Sequence, residues 1–196
     1  MIAEWSIAPS GVLGLGKSTP RTGEISKLLA RLEQWLVQHR AQYHHALRAG
    51  ANRGEVNALK QQLGRRLPAS LRALLSWHNG QVPDAAGCFE QNRRLMGCSE
   101  IAAAVKERIA ASSAGHSSDY WDPAWIPFLD DDAGNYVCLD TSRPGAPLRE
   151  VILGRSNQQL LAPSLLAWLN DFVVAAERGN YVEDPERGDF FRKRSI

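Results

Sequence analysis

The sequence lacks the features that would assign a chain to a functional class at once. Its 196 residues contain no run of about 18 apolar residues, the length that a membrane-spanning helix needs. Only three cysteines occur, Cys88, Cys98 and Cys138, and because their number is odd and they are widely spaced, without a C-x-x-C pair, we predict neither a disulfide framework nor a zinc site. The N-terminus carries Glu4 and lacks the basic start and apolar run of a signal peptide, so we expect a cytoplasmic protein.

Catalytic and metal-binding motifs are also missing. The sequence has no G-x-S-x-G elbow, and its histidines lack the H-E-x-x-H spacing of a metalloprotease. The run Asp130-Asp131-Asp132 does not fit an EF-hand loop, because Gly134 and Thr141 stand where that loop needs a ligand and a glutamate. The sequence therefore contains no motif that indicates catalysis, and we expect no cofactor and no metal site.

One segment matches a nucleotide-binding pattern letter for letter. Gly11–Ser18 reads G-V-L-G-L-G-K-S and satisfies the P-loop pattern G-x-x-x-x-G-K-[ST]. A P-loop needs a buried strand before it and a helix directly after it, so that backbone N–H groups surround the phosphate. Glu4 and Pro9 make a poor central strand, and Pro20 delays any helix. Nucleotide binding is thus an alternative that the local sequence does not favour.

Hydrophobic periodicity predicts helices first, then strands, then a closing helix, which is the order of an α+β domain. An irregular arm over 1–21 precedes them, and a charged, mobile tail follows over 183–196. The predicted helices cover 22–47, 54–63, 68–77, 100–111 and a long segment opened by Pro163-Ser164. The predicted strands lie near 94–97 and at 125–129, 136–140 and 150–153.

The charges are distributed unevenly along the chain. Residues 21–72 hold ten Lys and Arg against three Glu, whereas residues 115–142 hold six Asp and no Lys or Arg. These segments either steer partners to different faces or form ordinary solvated surfaces, and the sequence leaves both interpretations open. The basic residues are spread over several helical faces and no nucleic-acid-binding motif is present, so we expect no nucleic-acid partner.

The segment 121–140 combines aromatic rings and carboxylates beside a Gly-Asn turn. If it forms a binding face, aromatic rings supply apolar contact and carboxylates attract a basic partner. The candidate partner-binding residues are Tyr120, Trp121, Asp130, Asp131 and Asp132.

Four sequence blocks carry a resemblance to a known family. They are Trp35-Leu36, Leu67–Leu71 running to Trp77–Gln81, Trp121–Phe128 continuing through Gly134-Asn135 to Cys138–Asp140, and Leu161–Leu169. In this order and spacing the chain resembles the SUKH superfamily, which contains Smi/Knr-type regulators of fungal cell-wall synthesis and many bacterial immunity proteins. The resemblance spans about residues 22–182.

The resemblance implies one domain over 22–182, with a helical extension at its start and a twisted, mainly antiparallel sheet flanked by helices. It implies a binding protein with no enzymatic activity. Bacterial members of this kind neutralise a cognate toxin, which would be a basic nuclease if the acidic segment is the contact. The alternative is a regulatory scaffold of cell-wall synthesis or signalling that binds several proteins.

Overall fold

The computed structural model describes residues 22–82, 87–113, 121–155, 158–184 and 188–193, in which helices and strands are mixed. The predicted α+β class is confirmed, and most of the predicted elements are present in the predicted order. The elements are α1 (Thr22–His39), α2 (Ala41–Ala46), α3 (Arg53–Gln62), α4 (Ala69–Trp77), β1 (Arg94–Leu95), α5 (Cys98–Ser113), β2 (Trp125–Asp130), β3 (Tyr136–Asp140), β4 (Leu148–Val151), β5 (Gln159–Ala162), α6 (Leu165–Glu177), β6 (Tyr181–Asp184) and β7 (Asp189–Arg192).

A five-stranded antiparallel sheet lies at the centre of the domain, with its strands in the order β1-β2-β3-β4-β5. All of β3 is buried, and so is β2 from Trp125 to Leu129. Because successive side chains of a strand point to opposite faces, continuous burial means that both faces are covered. Helix α5 contacts β2, and the Trp168 ring of α6 lies 5.5 Å from the Phe128 ring. Helices thus flank the sheet.

The long N-terminal helix is interrupted. The sequence predicts one helix from Thr22 to about Leu47, but the structure divides it into α1 and α2 at Arg40, whose φ of −140° and ψ of 48° are not helical. Arg40 is buried, with 4% exposure. A buried guanidinium has lost its hydrating water and needs hydrogen-bond and ion-pair partners within the protein. The position of Arg40 is therefore set by tertiary contacts rather than by helical periodicity.

The contacts of Arg40 join the helix break to the C-terminal end of the chain. Its Nε donates to Glu183 Oε1 and its Nη1 donates to the Cys88 carbonyl, both at 2.8 Å. The guanidinium carbon also lies 3.9 Å from the centroid of the Phe190 ring. Such a cation–π contact is stronger in a desolvated site than in water. Arg40 thus ties β6 and β7 to the helices.

Strands β6 and β7 form a hairpin that the sequence analysis did not predict. The sequence analysis predicted a mobile tail without secondary structure over 183–196. The structure instead pairs Tyr181 with Arg192 and Asp184 with Asp189. Phe190 is only 2% exposed, and its ring stacks on Tyr181 at 4.7 Å between centroids. Burying this ring against the domain fixes a segment whose charge alone indicates a solvated tail.

Asp140 ends β3 as a buried carboxylate with 2% exposure. Its Oδ2 accepts a hydrogen bond from Arg149 Nε at 2.8 Å, and its Oδ1 accepts from the Ser142 backbone N–H at 3.2 Å. Burial opposes ionisation, but the hydrogen bonds from Ser142 and Arg149 outweigh it and place the pKa of Asp140 below its ordinary value. The carboxylate therefore stabilises the folded state when it is ionised.

We expect Asp140→Asn to make stability less sensitive to acid. Because the folded pKa is lowered, Asp140 contributes stability that is fully present above the unfolded pKa of about 3.9 and is lost as the pH falls through the folded pKa. The variant should lose about 1–3 kcal/mol of unfolding free energy at neutral pH, where Arg149 loses a charged partner. Urea unfolding at neutral and acidic pH measures this, and an equal acid-induced loss in both proteins would contradict it.

Candidate protein-interaction surface

At the turn between β2 and β3, two of the three predicted carboxylates pair with the guanidinium of Arg94, which belongs to β1. Asp130 Oδ2 lies 3.3 Å and Asp132 Oδ1 lies 2.5 Å from Arg94 Nη2. Asp130 also accepts a hydrogen bond from the backbone N–H of Asp132 at 2.6 Å. Burial raises the pKa of Asp130, against the effects of this hydrogen bond and of Arg94. The positive charge of Arg94 thus offsets part of the predicted acidic surface, and only Asp132, with 64% of its side chain exposed, lies mostly in solvent.

Asp131 holds the same turn together. Its Oδ1 accepts hydrogen bonds from the backbone N–H groups of Ala133 and Asn135 at 2.9 and 3.0 Å, and its Oδ2 accepts from Asn135 Nδ2 at 2.7 Å. This is the local bonding by which aspartate stabilises turns. A substitution at Asp131 would therefore disturb the turn as well as remove a charge, so Asp132 is the better position for testing electrostatics.

The predicted aromatic anchors do not form an exposed pair. Tyr120 lies outside the described residues. Trp121 is 3% exposed, and its ring packs edge-on against Trp125 and Tyr136 at 5.7 Å from each centroid. Its indole N–H has no hydrogen-bond partner in the part of the chain that the structure describes. The interpretation of Trp121 as a surface anchor is corrected: Trp121 is a core residue. Gly11–Ser18 also lies outside the described residues.

A polar groove of about 470 Å³ lies between β5, α6 and the β6–β7 hairpin. At its base the buried Glu90 accepts a hydrogen bond from the Tyr181 hydroxyl at 2.9 Å. Arg93 forms ion pairs with both Glu90 and Glu150. Burial raises the pKa of Glu90, and burial together with the Glu90 charge raises the pKa of Tyr181. The groove base is thus a network of mutually satisfied polar groups, which gives the hairpin a fixed support.

A tight turn next to the groove positions β7. Gln91 and Asn92 both have positive φ, 49° and 58°, between the paired residues Glu90 and Arg93. Two consecutive residues of this kind are typical of a type I′ turn. The Asn92 side chain accepts a hydrogen bond from the Phe190 backbone N–H at 2.9 Å and donates one to Asp189 Oδ1 at 3.0 Å. The sequence analysis found neither this turn nor its contact with the hairpin.

The outer face of the hairpin carries an exposed apolar pair. Val182 and Phe191 lie directly opposite each other in the β6–β7 register and are 49% and 42% exposed. Asp184 and Asp189, which are also paired in this register, lie on the same face, whereas Glu183 is paired with the buried Phe190 on the opposite face and forms an ion pair with Arg40. We call the apolar pair and the two carboxylates Asp184 and Asp189 the hairpin surface. An aromatic centre with a polar rim is the composition typical of protein interfaces.

The cysteines provide no activated nucleophile. Cys98 and Cys138 are buried and Cys88 is half-buried, and all three are free thiols. Burial raises the pKa of each, in the case of Cys98 to about 11. A thiol is nucleophilic as its thiolate, so these thiols, protonated at neutral pH, are poor nucleophiles.

Comparison with known protein families finds one whose model matches most of this fold. A family model described as the SMI1/KNR4 family (SUKH-1) matches residues 50–171. The match includes α3, α4, α5, the five-stranded sheet and the first half of α6, whereas α1, α2 and the hairpin surface lie beyond it. A comparison with curated proteins finds no match. Among the described residues no helix is both long enough and apolar enough to cross a bilayer.

Proposed function

The chain belongs to the SMI1/KNR4 family (SUKH-1), and from this premise we propose that it is a binding protein without enzymatic activity that neutralises a cognate toxin by direct contact. Domains of this family are in general non-catalytic interaction modules. The observation that carries the proposal is the hairpin surface, where Val182 and Phe191 are exposed at the centre of an acidic strand pair. It replaces the buried Trp121 as the proposed apolar contact.

The chemistry of the hairpin surface supports a basic protein partner. A few large side chains, aromatic ones above all, contribute most of the binding energy of an interface when water is excluded around them. Phe191 and Val182 offer such a centre, and the surrounding carboxylates attract a partner of positive charge. Proteins that act on nucleic acids carry positive charge to bind phosphates. A nuclease toxin therefore fits this surface.

The location of the surface supports recognition of one dedicated partner. The hairpin lies outside the matched residues 50–171, but Arg40, Asn92 and Tyr181 fasten it to the domain. An immunity protein needs a contact that is specific to its own toxin, and a peripheral element can change while the sheet remains intact. Pre-organisation of the contact residues also lowers the entropic cost of binding.

Co-expression tests the proposed function. The chain would be expressed together with the protein encoded next to its own gene, with cell survival and recovery of a purified complex as readouts. We expect survival to be restored and a stable complex to form, whereas an unrelated toxin of the same activity should remain toxic. A neighbouring protein that neither binds nor is neutralised would contradict the proposal. Capture of several endogenous proteins without protection would instead support the regulatory scaffold.

A further inference from the structure

Three side chains with metal-binding atoms meet where α1, α2 and the end of α4 come together. Glu33 belongs to α1, His44 belongs to α2, and His78 directly follows α4. His44 Nε2 lies 2.7 Å from Glu33 Oε1, and His78 Nε2 lies 3.1 Å from Glu33 Oε2. One ligand atom from each residue lies within 4.8 Å of the others. Atoms this close can coordinate a single cation.

The hydrogen bonds of His78 determine which of its nitrogens faces Glu33 without a proton. Its Nδ1 lies 2.6 Å from the backbone carbonyl oxygen of Arg48, which can only accept a hydrogen bond. In a neutral imidazole, which has one N–H, this contact places the proton on Nδ1 and leaves a lone pair on Nε2. That lone pair points to a carboxylate oxygen 3.1 Å away. The lone pairs of Nε2 and of the carboxylate oxygen repel each other at this distance unless a cation or an added proton lies between them.

The surroundings of the three residues are those of a supported metal site. Metal-binding histidines commonly donate their second N–H to a backbone carbonyl, as His78 does to Arg48. Metal-binding carboxylates are in turn hydrogen-bonded, and Glu33 Oε2 accepts from Trp77 Nε1 at 2.9 Å. The side chains of Glu33, His44 and His78 are 36%, 22% and 12% exposed, so an ion can reach them from solvent.

We propose that Glu33, His44 and His78 bind one divalent transition-metal ion, with Zn²⁺ the best match. Two imidazole nitrogens and one carboxylate oxygen form a donor set that zinc accepts in tetrahedral sites, with water as the fourth ligand. Magnesium and calcium prefer oxygen ligands alone, so the two histidines disfavour them. The ion would link α1, α2 and the end of α4, and would stabilise the helical side of the domain, because it binds the folded chain.

Cobalt binding to the tag-free protein tests the proposal. Co²⁺ would be titrated into chelator-treated protein and followed by its visible absorption, and Zn²⁺ would then be added as competitor. We expect one Co²⁺ per chain, intense bands of a four-coordinate ion, and displacement by Zn²⁺. Loss of a group that only supports a metal ligand can lower the metal affinity by about 100-fold. Because His44→Gln removes a ligand itself, it should weaken Co²⁺ binding by about 100-fold or more.

The chain offers a matched control one residue away. His45 is exposed on the same helix, so His45→Gln removes one histidine without removing a proposed ligand and should leave binding unchanged. Glu33→Gln is a second variant that keeps the side-chain shape, and circular dichroism checks that every variant is folded. Absence of stoichiometric binding by the wild-type protein, or equal effects of His44→Gln and His45→Gln, would overturn the proposal.

Discussion

Trp121→Ala is expected to lower the free energy of unfolding by about 3–5 kcal/mol, the usual cost of removing a buried tryptophan ring. Trp121 is 3% exposed and packs against the Trp125 and Tyr136 rings. Removing its indole leaves a cavity beside β2 and β3, where neighbouring side chains are already closely packed. Urea unfolding of the two proteins at neutral pH measures the difference.

Two further variants serve as controls, one for loss of the indole N–H and one for truncation of an exposed side chain. Trp121→Phe keeps most of the ring volume and removes an indole N–H that has no partner among the described residues, so it should cost about 1 kcal/mol or less. Val37→Ala truncates a side chain that is 49% exposed and should change stability by less than about 0.5 kcal/mol. A Trp121→Ala protein as stable as Val37→Ala would contradict the core position and favour an exposed anchor.

Gly80→Ala is expected to cost about 3 kcal/mol or more. Gly80 has a φ of +80°, a region that alanine adopts only with strain, and an added Cβ would lie 2.4 Å from the Gly97 backbone nitrogen. A backbone atom so close cannot rotate away, so the turn after α4 would have to separate from the start of α5. Overpacking of this kind commonly adds about 1–3 kcal/mol to the conformational cost.

Gly64→Ala is the matched control for this close approach. Gly64 also has a positive φ, +61°, but an added Cβ there meets nothing within 4 Å. It should therefore show the conformational cost alone, about 1 kcal/mol. The difference between the two variants in thermal or urea unfolding measures the contact between Gly80 and Gly97. Equal losses in the two proteins would contradict that contact.

Elements with strong local signals were predicted correctly. The last helix illustrates this: Ser164 precedes α6, and its side chain accepts a hydrogen bond from the Ala167 backbone N–H at 3.1 Å, as an N-cap should. The apolar runs at 125–129 and 136–140 form β2 and β3. In each case the information lies within a few residues of chain, so periodicity and capping are sufficient.

Features that depend on distant residues were missed. Arg40 interrupts the first helix because it contacts Cys88, Glu183 and Phe190. These partners lie far along the chain, so the local sequence could not indicate the break. The hairpin was missed for a related reason, since the charge of its segment concealed the adjacent pair Phe190-Phe191. Alternation along β7 buries the first of these rings and exposes the second, and that aromatic pair was the available signal.

The candidate sites show the same limit. Trp121 was placed on the surface because its sequence neighbours are acidic, but its burial depends on the strands that fold beside it. The search for metal ligands used short spacings such as H-E-x-x-H, whereas Glu33, His44 and His78 belong to three separate segments. Spacing rules detect ligands that share one helix or loop, and they do not detect ligands that only tertiary packing brings together.

The most direct test of the account is the affinity of the chain for the proposed toxin partner when Phe191 is changed to Asp, measured by calorimetry with Leu160→Asp as the matched control. Both residues are exposed, but Leu160 lies on β5, outside the hairpin surface. We expect Phe191→Asp to weaken binding about 100-fold, as loss of an interface hot spot does, and Leu160→Asp to bind like the wild type. Wild-type affinity in Phe191→Asp, together with weakened binding in Asp132→Asn, would place the contact at the acidic turn and contradict the account.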